Sequence, residues 1–93
     1  MRAYYNEEEI LQRLVFLNGW VYKNTAIERD FEFRNFQEAF AFLTRVALLS
    51  EKYDHHAEIY NLWNTVRLRY STKDVGGVTD KDLKLAEEIN KIS

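Results

Sequence analysis

Between residues 7 and 17, Ile10, Leu11, Leu14, Val15 and Leu17 recur at the three- and four-residue spacing of an amphipathic helix, and Asn18-Gly19 provides a left-handed stop. The pattern then changes to alternation. Segments 20–23 and 26–33 flank Asn24-Thr25, and in the second of them Ile27, Phe31 and Phe33 fall on one face while Glu28, Asp30 and Glu32 fall on the other, so the two predict a hairpin. Helical spacing returns at 36–51, with Phe36, Phe40, Leu43 and Ala47 on one stripe and Ala39, Phe42, Val46 and Leu49 on the next. This apolar arc is wider than one sheet face can cover. A polar break at 53–58 leads to segments 59–62 and 65–72, where Val66, Leu68 and Tyr70 alternate with Arg67, Arg69 and Ser71 in a second predicted hairpin. Leu85, Ile89 and Ile92, spaced four and three apart, make 79–92 a third helix.

Each predicted helix begins with a side chain able to cap it and carries an acid three residues on: Asn6 with Glu9, Asn35 with Glu38, Thr79 with Asp82. The order α-β-β-α-β-β-α predicts an α+β domain, a four-stranded antiparallel sheet with the helices packed on one face. If strands 26–33 and 65–72 are neighbours, the acidic outer face of the first complements Arg67 and Arg69 on the second. With no proline and three glycines, nothing reads as a linker, repeat or low-complexity tract, and residues 1–93 are expected to form a single domain. Gly76-Gly77 lacks the lysine and spacing of a phosphate-binding loop and reads as a turn.

Composition narrows the choice of partners. A hydrophobic share of 46% with 15% aromatic residues argues for a packed core. Thirteen basic against fifteen acidic residues leave a net charge of -2, which generates no field that would gather phosphate backbones or anionic lipid, so neither nucleic acid nor membrane is expected as a direct partner. The absence of cysteine excludes a disulfide framework, a zinc ribbon and thiol chemistry. No apolar run approaches membrane-spanning length, and residues 1–9 turn acidic where a signal peptide would be apolar, so a cytoplasmic location is expected.

One stretch stands out for chemistry. Glu51-Lys52-Tyr53-Asp54-His55-His56 holds both histidines of the chain beside two carboxylates at a predicted helix end. Histidine titrates near neutrality and can give or take a proton, and a carboxylate beside it can fix its tautomer and raise its basicity. A polar loop that merely contains histidine accounts for the same residues. A metal site fits poorly, because adjacent ring nitrogens seldom converge on one ion and no third histidine or cysteine exists.

From residue 42 to residue 92 the chain resembles the pterin-4a-carbinolamine dehydratases nearly element by element. That family's pattern places an acidic residue four before a His-His pair, an aromatic after it, a third histidine in a Thr-His motif, and then an aspartate. Glu51, His55, His56, Trp63 and Asp82 occupy those places, with Asn61, Asn64 and Ser71-Thr72 also in keeping. Gly19-Trp20, Ile27, Arg29, Phe31, Phe33 and Thr44-Arg45-Val46-Ala47 extend a looser likeness upstream. The resemblance implies dehydration of 4a-hydroxytetrahydrobiopterin to the quinonoid dihydropterin, hydroxide leaving C4a as the N5 proton departs, without a metal or redox cofactor. It implies a catalytic set of His55, His56 and position 73, with Glu51, Asp54, Trp63 and Asp82 contributing to substrate binding.

Two residues depart from the pattern. Ala57 replaces the usual proline after the histidine pair, which loosens the loop. Lys73 replaces the third histidine. A lysine side chain ordinarily titrates at about 10.4, so at neutral pH it is a cation that donates hydrogen bonds and cannot serve as base. It can assist a departing hydroxide, or it can be a solvated surface residue at a strand end. The lysine favours an alternative in which the chain is a non-catalytic binding or assembly protein, as relatives are that assist RuBisCO assembly or serve as dimerisation cofactor of a homeodomain transcription factor. Either way the wide apolar arc of 36–51 predicts a homodimer, or a homotetramer around a helical bundle as in animal relatives.

Overall fold

Asn6 accepts a hydrogen bond from the Glu9 amide at 2.8 Å while the Glu9 carboxylate accepts one from the Asn6 amide at 2.9 Å. This reciprocal cap starts α1 (Glu7–Leu14). The structure, a computed structural model, describes residues 3–93, so the first two residues of the acidic N-terminal stretch lie outside it. α1 is three residues shorter than its periodicity predicts. The amides of Phe16, Leu17 and Trp20 bond carbonyls three residues back, tightening the exit so that Leu17 and Trp20 both turn into the core. Gly19 follows at φ +90°, a left-handed backbone that favours glycine, and a Cβ there would lie 2.5 Å from Nε of Arg29 and displace that side chain.

β1 (Val21–Lys23) and β2 (Ala26–Glu32) form the first hairpin, and β3 (Glu58–Leu62) and β4 (Thr65–Tyr70) the second. All pairings are antiparallel in the order β1-β2-β4-β3. Glu28 stands opposite Arg69 and Asp30 opposite Arg67, and the pairs close at 3.2 and 2.7 Å on the open face, the complementarity that the alternation predicts. β4 stops at Tyr70 rather than 72, since Tyr70 faces Ile27 near the start of β2 and Thr72 instead bridges to Gly77. The Gly76-Gly77 turn is therefore the closure of this bridge.

α2 (Phe36–Tyr53) and α3 (Asp80–Ile92) lie across the other sheet face with α1. Ile27, Phe31, Val66, Leu68 and Tyr70 from the strands meet Ile10, Ala39, Phe42, Val46, Leu85 and Ile89 from the helices in one core. The first stripe of α2 stays largely outside it: Phe36 and Phe40 are exposed, as is Leu48, and the two phenylalanine rings stand 5.5 Å apart. No helix among the described residues is long and apolar enough to cross a membrane.

Candidate active site

His55 is placed by its backbone before its side chain does anything. α2 runs two residues beyond the predicted end because the first residue able to reverse it is Asp54, which adopts φ 49° and ψ 47°. The His55 amide then bonds the Ser50 carbonyl at 3.0 Å and the Asp54 amide the Glu51 carbonyl at 3.3 Å. This double closure is the Schellman stop, here with aspartate in the left-handed position usually taken by glycine. Asp54 thus aims the next residue, while its own carboxylate is exposed and makes no side-chain bond among the described residues.

The imidazole of His55 points inward, its side chain 11% exposed, and its Nε2 lies 2.6 Å from Oδ1 of Asp82, which is fully buried. Asp82 owes its position to the start of α3. Its Oδ2 accepts from the Thr79 amide at 2.9 Å, the return half of that helix's capping box. The same oxygen accepts from the Thr72 hydroxyl at 2.8 Å, and Thr72 Oγ1 is 2.7 Å from Thr79 Oγ1. With the Thr72 proton committed to Asp82, the Thr79 hydroxyl is the donor of that last pair. Three donors therefore hold one buried carboxylate. Its charge favours the tautomer in which His55 Nε2 carries hydrogen and Nδ1 carries the free lone pair.

His56 projects the other way. Its Nε2 meets Oε2 of Glu51 at 2.6 Å on the surface, where such a pair contributes at most about 1 kcal/mol. Lys73 directly follows Thr72 on an exposed turn and makes no hydrogen bond or ion pair among the described residues. Trp63 does not join them. It occupies the β3–β4 turn at φ 51°, 64% exposed, separated from the histidine end of the hairpin by the five residues of β3, roughly 16 Å of strand. Within one chain, then, His55, Asp82 and the Thr72–Lys73 corner come together, His56 and Glu51 border them, and Trp63 stands apart. No three His, Asp or Glu residues among the described ones are grouped as a metal-ligand set.

Comparison with known proteins shows the family. The family model described as pterin 4 alpha carbinolamine dehydratase matches residues 3–92, nearly the whole chain. The chain belongs to that family. Relatives in Prochlorococcus marinus, provisionally named pterin-4-alpha-carbinolamine dehydratases, include one from strain MIT 9215 that is 48% identical over 92% of this chain and 90% of its own. Another, from strain MIT 9313, is 51% identical over 80% of this chain and 77% of its own. A crystal structure of a transcriptional coactivator/pterin dehydratase from Brucella melitensis superposes with a TM-score of 0.89 at 40% identity, covering 96% of this chain and 97% of that one.

As a member of the pterin carbinolamine dehydratase family, the protein is a hydro-lyase, an enzyme that eliminates water. Within this dehydratase fold the pattern reading missed two participants. Thr79 was legible only as a cap, although a capping box whose acid also meets a histidine is what turns the helix start into part of the site. Tyr70 was legible only as core, yet its ring lies almost parallel to that of His55, 5.8 Å between centroids and 21° between planes.

Proposed function

We propose that the chain dehydrates a 4a-hydroxytetrahydropterin with His55 as the group that moves the proton. The observation that carries this reading is the buried His55–Asp82 pair with its two threonine donors. In that pair Nδ1 of His55 is the nitrogen free to accept. It takes the proton from N5; the N–H electron pair becomes the N5–C4a double bond, and the C4a–O bond breaks with its electrons on the leaving hydroxide, which becomes water on protonation. His56, exposed and braced by Glu51, holds the pterin at the rim. Lys73 offers the leaving hydroxide a positive charge but no base, so turnover is weakened at this step.

A stable dihydropterin titrated against the wild type is expected to bind, and His55→Ala and His56→Ala are expected to bind it more weakly. Asp54→Gly keeps the left-handed stop, which glycine takes at least as readily, so weaker binding by this variant reports the carboxylate's own contribution to substrate binding. Equal affinity in wild type and both histidine variants overturns the assignment.

A second reading has its own support. The apolar outer stripe of α2 is exposed, and the Brucella melitensis neighbour is a transcriptional coactivator/pterin dehydratase. On this reading the chain binds or assembles other proteins, in the manner of a RuBisCO assembly chaperone or a dimerisation cofactor, and turnover is secondary. Both readings use the stripe as an interface between copies, giving a homodimer or homotetramer. Sedimentation at micromolar concentration is expected to report more than one chain per particle, and Phe40→Glu to shift it towards monomer; a wild-type monomer refutes the prediction.

A further inference from the structure

Tyr70 has no exposed surface, and its hydroxyl is the one buried side-chain polar atom among the described residues with no hydrogen-bond partner. Ser50 is close enough to act on it, but the Ser50 hydroxyl donates to the Val46 carbonyl at 2.8 Å and makes no well-formed bond with the phenol. Burial is the main influence on the phenol and raises its pKa; Ser50 opposes this and the Asp82 charge adds to it. Such a phenol stays neutral and does not reach substrate. An orphaned buried hydroxyl is a destabilising feature, so whatever keeps a large aromatic here resides in the ring.

The ring is held on several sides. Ile27 is its register partner on β2, the Trp20 ring lies 6.1 Å away, and the His55 imidazole lies nearly parallel at 5.8 Å. The Asp82 contact fixes one end of the imidazole but leaves rotation about the axis of that hydrogen bond open. A flat, immobile surface beside the imidazole closes that freedom.

We propose that Tyr70 is a positioning residue for His55: its buried ring sets the plane of the imidazole so that Nε2 meets Asp82 while Nδ1 faces the pterin. The proposal rests on the reading of His55 as the proton-transfer group, and its test separates the two. Tyr70→Phe keeps the ring and should retain kcat, with a higher Tm because the unpartnered hydroxyl is gone. Tyr70→Leu removes the plane and should lower kcat on the order of 10- to 100-fold, the scale of a misdirected catalytic group, with KM within about twofold. Leu68→Ala, equally buried two residues back on the same face of β4, is the control for core damage alone.

The chain has only two histidines, so 15N spectra of the imidazoles resolve the tautomer of His55 directly. Wild type, Tyr70→Phe and Leu68→Ala should show one tautomer, protonated on Nε2, and Tyr70→Leu a mixture. If the leucine variant does not fold, Tyr70→Met, which keeps much of the volume without a plane, takes its place. A single unchanged tautomer without the ring, a kcat loss no larger than that of Leu68→Ala, or a loss in Tyr70→Phe overturns the proposal. A wild type with no dehydratase activity refutes the catalytic reading instead, and the tautomer spectra still decide whether Tyr70 positions His55.

Discussion

Asp82→Asn is expected to lower dehydratase turnover nearly as far as His55→Ala does, by a factor of about 10² to 10⁴, or roughly 3 to 5 kcal/mol of barrier. Removing the imidazole takes away the group proposed to move the proton. The asparagine acts differently. Its amide has one oxygen and one NH₂ where the carboxylate had two acceptors, yet three donors converge there: His55 Nε2, the Thr72 hydroxyl and the Thr79 amide. If the oxygen stays with the two threonines, the NH₂ faces Nε2 of His55 and can be satisfied only by the opposite tautomer, with hydrogen on Nδ1. The base would then present a proton where it must accept one. Because Asp82 also caps α3 from a fully buried position, the same substitution should cost about 1 to 3 kcal/mol of stability, which His55→Ala does not share through the cap. Steady-state kinetics with denaturant unfolding of both variants checks this. Turnover by Asp82→Asn within tenfold of the wild type contradicts the assigned role of the pair.

The opposite change is expected at position 73. Lys73→His should raise kcat at pH 7 by about 10² or more with little change in KM, since it restores a group that can exchange a proton in the transition state and adds no ground-state contact. The structure supports the premise that such a histidine would be near the chemistry. Residue 73 follows Thr72, whose hydroxyl bonds the carboxylate that holds His55, and consecutive Cα atoms are about 3.8 Å apart. Lys73 is also exposed and unpaired among the described residues, so its loss breaks no bond of the fold. Stability should therefore be nearly unchanged, and any gain in rate can be assigned to chemistry. A wild type already turning over at the rate of ordinary dehydratases, or a substitution without effect, removes Lys73 from the mechanism.

Periodicity alone carried the element order and both hairpins, because one face of the central strands β2 and β4 and of each helix is buried, and a period of two or of 3.6 is the direct trace of that burial. The capping pairs carried the helix starts for the same reason, being local: Asn6 with Glu9, Asn35 with Glu38 and Thr79 with Asp82 need only three residues to find each other. Helix ends were less legible. α1 stops early and α2 late, as the stop depends on which residue can take left-handed backbone and which side chain must enter the core.

For the site, the adjacent histidines and their acids were visible in the chain, and the family likeness supplied Asp82. Their division of labour was not visible. His55 and His56 are neighbours of identical chemistry, and only the tertiary structure turns one onto a buried carboxylate twenty-seven residues away and leaves the other on the surface with Glu51. The same holds for Tyr70, which the pattern reads as core and the fold sets against an imidazole, and for Trp63, which the likeness groups with the histidines and the hairpin carries to its far end. Sequence spacing encodes what lies within a turn or a strand pair; what meets across the core depends on how the end of α2, the end of β4 and the start of α3 converge, and only the packed structure specifies that.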